Sequence, residues 1–70
     1  MKTIFVIQDI QNKEYYYRRG NIEDFSANIR DAKVYKNGQS ALEEIKNQSE
    51  WNTDLFRGRY FEIKKIHKLS

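Results

Sequence analysis

The sequence predicts a small α+β domain, with one principal helix packed on one face of a mainly antiparallel sheet. Three observations carry this. The chain opens on a continuous apolar run, Ile4-Phe5-Val6-Ile7, and a tyrosine-rich run, Tyr15-Tyr16-Tyr17, follows one polar loop later. A stretch with a helix-start signal, Ser40-Ala41-Leu42-Glu43, lies in the second half. The chain then ends on an alternating run around Phe61 and Ile63. Residues 1–70 read as a single domain.

Taken in order, residues 3–10 read as a strand buried on both faces, because Ile4–Ile7 is apolar without interruption. Residues 14–19 read as its hairpin partner, with Asn12 and Lys13 at the tip and Asn12 supplying the tolerance for positive φ. In that register Asp9 faces Tyr16, Ile7 faces Arg18 and Gln8 faces Tyr17. One face then carries Ile4, Val6, Ile10, Tyr15 and Tyr17. The other carries Phe5, Ile7, Asp9, Tyr16 and Arg18.

Gly20 ends the hairpin. Ile22, Phe25, Ile29 and Ala32 recur at helical spacing and predict a short helix or helical turn starting near Ser26. Lys33–Lys36 reads as a short third strand, and Asn37-Gly38 as a turn. Ser40 with Glu43 matches a capping box, so a helix is expected from Ser40 to Asn47 or Ser49, with Ala41, Leu42 and Ile45 as its apolar stripe. Residues 50–58 read as a loop anchored by Trp51, Leu55 and Phe56. The last strand spans 59–67, where Ile66 breaks the alternation and marks a bulge or the strand end. The predicted order is β-β-short α-β-α-β, with the first strand inside the sheet.

Composition narrows the function. A 70-residue domain buries only about 60% of the surface its unfolded chain exposes, and this chain has no cysteine to staple it. Without cysteine, and with one histidine, His67, thiolate and imidazole metal sites are excluded as expectations. The opening apolar run is too short for a signal-peptide core, and no run approaches a membrane span, so a cytoplasmic protein is expected. Net charge is +3. Residues 57–68 carry five cationic side chains against Glu62, whereas residues 21–50 carry six carboxylates against four cations. Such asymmetry steers encounters with acidic partners.

No catalytic constellation is present. Gly20, Gly38 and Gly58 are isolated, so there is no phosphate loop. His67 has no acid spaced to orient it. Glu43 and Glu44 diverge by about 100° on a helix and do not converge on one ion. Neither catalytic, cofactor nor metal residues are expected. Asn47-Gln48-Ser49 matches a glycosylation sequon, but it falls at a helix end in a chain without an export signal.

Two runs invite an interaction reading. In Tyr15-Tyr16-Tyr17-Arg18-Arg19, aromatics beside arginines suit base stacking and phosphate contact, or a protein hot spot. The simpler reading makes the tyrosines core residues of a strand. In Arg57-Gly58-Arg59, followed by Lys64-Lys65, the arginines suit phosphates or carboxylates. The simpler reading is a solvated strand face, on which Lys64 and Lys65 point to opposite sides.

The run Asp31-Ala32-Lys33-Val34-Tyr35, the helix carrying Ala41-Leu42-Glu43-Glu44-Ile45 and the tyrosine-rich opening hairpin together resemble small uncharacterised proteins encoded by phages and prophages of Gram-positive bacteria. The lean toward Ile, Lys, Asn and Tyr with no proline suits an AT-rich microbial or phage genome. The resemblance implies a class of role, namely small products that bind and inhibit host factors, as anti-CRISPR proteins do. It carries over no functional residue.

The expected function is a non-enzymatic protein-binding module. One helix can cover only one face of so short a sheet, which leaves Phe5, Ile7 and Tyr16 to be covered by a partner. The interaction surface expected from sequence is therefore Phe5, Ile7, Tyr16, Arg18, Arg19, Arg57, Arg59 and Lys64. The partner is a host or phage protein, or a second copy in a homodimer. The alternative is nucleic-acid binding through the Tyr/Arg hairpin and the basic last strand, for which +3 is modest. Nothing in the sequence favours an enzyme subunit or a particle component.

Overall fold

The computed structural model describes residues 2–68. Four strands, β1 (Lys2–Asp9), β2 (Glu14–Arg19), β3 (Ile22–Ser26) and β4 (Phe61–Lys68), form one antiparallel sheet in the order β3-β2-β1-β4. Helix α1 (Gly38–Trp51) packs on one face, followed by the short α2 (Thr53–Phe56). The α+β class and the inside position of β1 are as the sequence predicts. No helix of the described residues is long and apolar enough to cross a membrane.

The first hairpin differs from the two-residue loop. Gln8 pairs with Tyr15 and Asp9 with Glu14, which leaves a four-residue loop, Ile10–Lys13. Asp9 is the cause. Its Oδ1 accepts the backbone N–H of Gln11 (3.1 Å) and of Asn12 (3.2 Å), and its Oδ2 accepts Asn12 Nδ2 (2.9 Å). An acidic side chain that satisfies its own following backbone builds a wider turn. Lys13, not Asn12, takes the left-handed conformation, at φ 58°.

Residues 22–26 form a strand that the sequence pattern does not show, and the helical turn expected from about Ser26 is the 3-10 turn at Ile29–Asp31. Gly20 at φ 60° and Asn21 make a two-residue turn that sets Ile22 opposite Arg19. The helical spacing of Ile22, Phe25, Ile29 and Ala32 is thus split between β3 and a 3-10 turn, Ile29–Asp31, capped by Asn28. The expected third strand is reduced to one bridge. Tyr35 and Phe5 exchange backbone hydrogen bonds of 2.8 and 3.0 Å, and the Lys33 N–H donates to the Tyr16 carbonyl at 2.9 Å. Residues 33–35 therefore fill the gap where β2 separates from β1, beyond their two paired positions.

Helix α1 begins earlier than the capping box predicts. Asn37 is the N-cap, and its Oδ1 accepts the Ser40 N–H at 2.8 Å. The inward side of α1 carries Ala41, Glu44, Ile45 and Gln48, which recur at three- and four-residue spacing. Leu42 is left exposed. Trp51, expected as an anchor, is 85% exposed, whereas Phe56 is buried and Leu55 half-buried. Ile66 makes no bulge, because β4 stays in register with β1 throughout and Ile66 lies opposite Ile4.

The core joins Ile7, Tyr16, Phe25, Tyr35, Ala41 and Phe56, with Phe5, Ile45, Leu55, Phe61 and Ile63 packed against them. Its centre is aromatic. Phe25, Phe56 and Phe61 lie with ring centroids 5.0–5.9 Å apart, and Tyr16 meets Phe25 and Phe56 at 5.7 and 5.3 Å. Such tilted, edge and stacked contacts add to area burial.

Candidate functional site

The placement of Phe5, Ile7 and Tyr16 corrects the expected interaction surface. Ile7 and Tyr16 are fully buried and Phe5 is half-buried, all beneath α1 and α2. The helices cover this face because it holds the larger aromatic set, which Phe25, Phe56 and Phe61 complete. Tyr16 is also bound at its polar end: its hydroxyl donates to Glu23 Oε1 at 2.6 Å, and Gln48 Nε2 donates to the same oxygen at 2.9 Å. Burial, then the hydrogen bond to Glu23, holds the Tyr16 phenol far above its ordinary pKa. Tyr35 is equivalent. Its hydroxyl donates to Glu44 Oε1 at 3.1 Å beside Lys33 Nζ at 2.8 Å, and burial, then the Glu44 charge, raises it too.

Arg59 also leaves the expected surface. Its Nη1 donates to Asp9 Oδ2 at 2.7 Å and to Glu14 Oε1 at 3.1 Å, and its Nε donates to the Leu55 carbonyl at 2.8 Å. The guanidinium carbon lies 3.9 Å from the Phe25 ring centroid. This arginine is a structural clasp, with its Nε and Nη1 donors committed within the chain. Arg19 pairs with Asp31 at 3.3 Å in an exposed bridge, and Arg18 turns to the Gly20 carbonyl at 3.3 Å. Of the cations expected to act together, Arg18, Arg19 and Arg59 make contacts within the chain, and Arg57 is exposed at the end of α2.

The second sheet face holds what the sequence reading missed. Ile4 and Val6 point away from the helices and are buried beneath the segment that carries the 3-10 turn. The cover is incomplete. A groove of about 180 Å³ is lined by Ile4, Val6, Ile29, Arg30, Ala32, Val34 and Ile66. A second depression of about 340 Å³, lined by Lys2, Thr3, Ile4, Val34, Tyr35 and Lys36, continues it through the shared Ile4 and Val34. Val34 is 50% and Ile29 43% exposed. Lys64 stands two residues before Ile66 on the same strand face. The result is an apolar trough rimmed by Lys2, Arg30 and Lys36. Among the described residues no carboxylate lines it.

None of the surface expected from sequence lines this trough, although Lys64 shares the strand face of Ile66. The trough could have been found from one signal: Ile29 and Val34 flank Ala32 in a segment too short to bury both itself and the sheet. Chemically, the lining offers apolar contact and cationic ends, the donor set for an amphipathic acidic segment. Among the described residues, no cluster of His, Cys, Asp and Glu is placed to hold a metal ion. Comparison with known proteins returns no match, whether by family model, by curated sequence or by solved structure.

Proposed function

We propose that this chain is a non-enzymatic protein-binding module whose second sheet face receives an acidic, amphipathic segment of a partner protein. One observation carries the reading: an apolar floor made by Ile4, Val34 and Ile66 is lined at its margins by three cations, Lys2, Arg30 and Lys36, and by no described carboxylate. Apolar contact supplies affinity, and the cations supply orientation and encounter rate. This is the role implied by the resemblance to small phage products that bind host factors. Nucleic-acid binding is the weaker reading, because Arg59 is committed to Asp9 and Glu14.

Paired pull-downs test it in the cells that encode the chain. Tagged wild type and Trp51→Ala are expected to retain the same partner, while Val34→Asp loses it. Val34 is half-exposed, and far-UV circular dichroism checks that the aspartate variant is folded. Equal capture by all three proteins, or loss with Trp51→Ala alone, contradicts the trough as the docking site.

A further inference from the structure

We infer that the free edge of β4 is a self-pairing edge: two copies join β4 to β4 antiparallel about a two-fold axis at Ile63. The product is one continuous sheet with isologous symmetry.

The edge is open and regular. β4 is the outermost strand and runs eight residues in unbroken register with β1. The Ile10 N–H bonds the Tyr60 carbonyl at 2.9 Å, and the Phe5–Tyr35 exchange lies on the opposite side of β1. Together these fix the phase of the ladder. Glu62, Lys64 and Ile66 bond to β1, and the backbone groups of Phe61, Ile63, Lys65 and His67 point outward. No other part of the described chain hydrogen-bonds to them. The opposite edge is blunted. On β3 the Phe25 N–H is taken by Asp24 Oδ1 at 2.8 Å. β4 lacks a bulge or proline, and its Lys64 and Lys65, charges that oppose pairing in most registers, make the register selective.

The side chains choose the register. Outward backbone groups must meet outward groups, so the axis must pass through a residue and not between two. An axis at Glu62 sets Glu62 against the partner's Glu62. An axis at Lys64 or Lys65 opposes identical lysines. At Ile63 the conflict disappears. Ile63 meets the partner's Ile63, Phe61 meets the partner's Lys65, and Glu62 meets the partner's Lys64, twice by symmetry. Glu62 and Lys64 occupy non-hydrogen-bonded positions, where cross-strand side chains lie closest. Tyr60, 67% exposed in the single chain, comes opposite the partner's Ile66. The pairing borders the trough, since Ile66 belongs to both, but self-association is measured separately from capture of a partner.

Sedimentation equilibrium across concentration, with charge-swapped variants, tests the register. Wild type is expected to dimerise reversibly. Glu62→Lys turns two attractive pairs into repulsive ones and is expected to weaken the dimer about tenfold. The double variant Glu62→Lys with Lys64→Glu restores it. Far-UV circular dichroism confirms the fold of each protein. In wild type, hydrogen exchange at the Ile63 amide is expected to slow as concentration rises. A wild type that stays monomeric to millimolar concentration, open-ended growth, a dimer indifferent to Glu62→Lys, or an Ile63 amide whose exchange ignores concentration would each overturn the pairing. Sedimentation and exchange read self-association alone, so their failure is distinct from loss of partner capture.

Discussion

Arg59 and Asp9, fifty positions apart, meet at 2.7 Å with the Asp9 side chain fully buried. The same carboxylate folds the first hairpin loop, and the same arginine crosses the Phe25 ring and takes the Leu55 carbonyl. One ion pair therefore ties the first loop, α2 and the approach to β4 together.

Removing Arg59 leaves Asp9 buried with an uncompensated charge, which is the costly way to break such a pair. Arg59→Ala is expected to lose about 3 kcal/mol of stability, read from urea denaturation midpoints. Arg57→Ala, two residues away and exposed, is expected to change stability by less than about 0.5 kcal/mol.

Acid should act through the same residue. Burial pushes the Asp9 carboxyl up, but hydrogen bonds from Asn12, Arg59 and Gln11 outweigh it and hold the pKa below the usual value. Glu44 is lowered too: burial opposes this, and Lys33 and Tyr35 outweigh it. With folded pKa values depressed, the folded state binds fewer protons than the unfolded chain through this range. Stability is therefore full above the ordinary carboxylate pKa and falls as pH drops through and below it. Thermal melts between pH 6 and pH 2 should show this loss, and Asp9→Asn should flatten it at a lower overall stability.

Alkali should act through Tyr16 and Tyr35, with the opposite sign. Their folded pKa values are raised, so the stability they lend is present below about pH 10, the unfolded value, and declines as pH rises beyond it. A component of the phenolate absorbance is expected to appear together with the loss of far-UV signal. Ionisation of both residues in a still-folded protein would contradict their burial.

Asn37→Ala should cost about 1 kcal/mol, because it removes the side chain that caps the Ser40 N–H. Ser40→Ala should cost much less. Denaturation midpoints of the two variants separate the observed cap from the one the sequence motif suggests.

Much of the fold was legible. Ile4–Ile7 marked a buried inner strand, Phe61 and Ile63 marked the last one, and Phe56 marked an anchor. What failed did so for local reasons. Asp9 widened a turn that Asn12 was expected to tighten. Reading the helix stripe by hydrophobicity selected Leu42, because the inward positions Glu44 and Gln48 are polar and are satisfied only by Tyr35, Lys33 and Glu23 from distant segments. The site was harder still. That both sheet faces are apolar was readable, but which face the helix takes depends on Phe25 and Phe56, whose positions follow from β3 and α2. Arg59 looked like a surface cation because the acids that hold it lie 45 and 50 residues away in sequence.

If Ile4, Val34 and Ile66 floor a docking trough with a cationic rim, a random-peptide display library panned on the protein should enrich sequences that combine apolar residues with Asp or Glu. Fluorescence titration of an enriched peptide is the most direct measurement. Arg30→Glu and Val34→Asp are each expected to weaken binding about tenfold or more, affinity is expected to fall with added salt, and Trp51→Ala is expected to leave it unchanged. Enriched peptides without carboxylates, or equal affinity for wild type and Val34→Asp, would contradict the trough as the binding site.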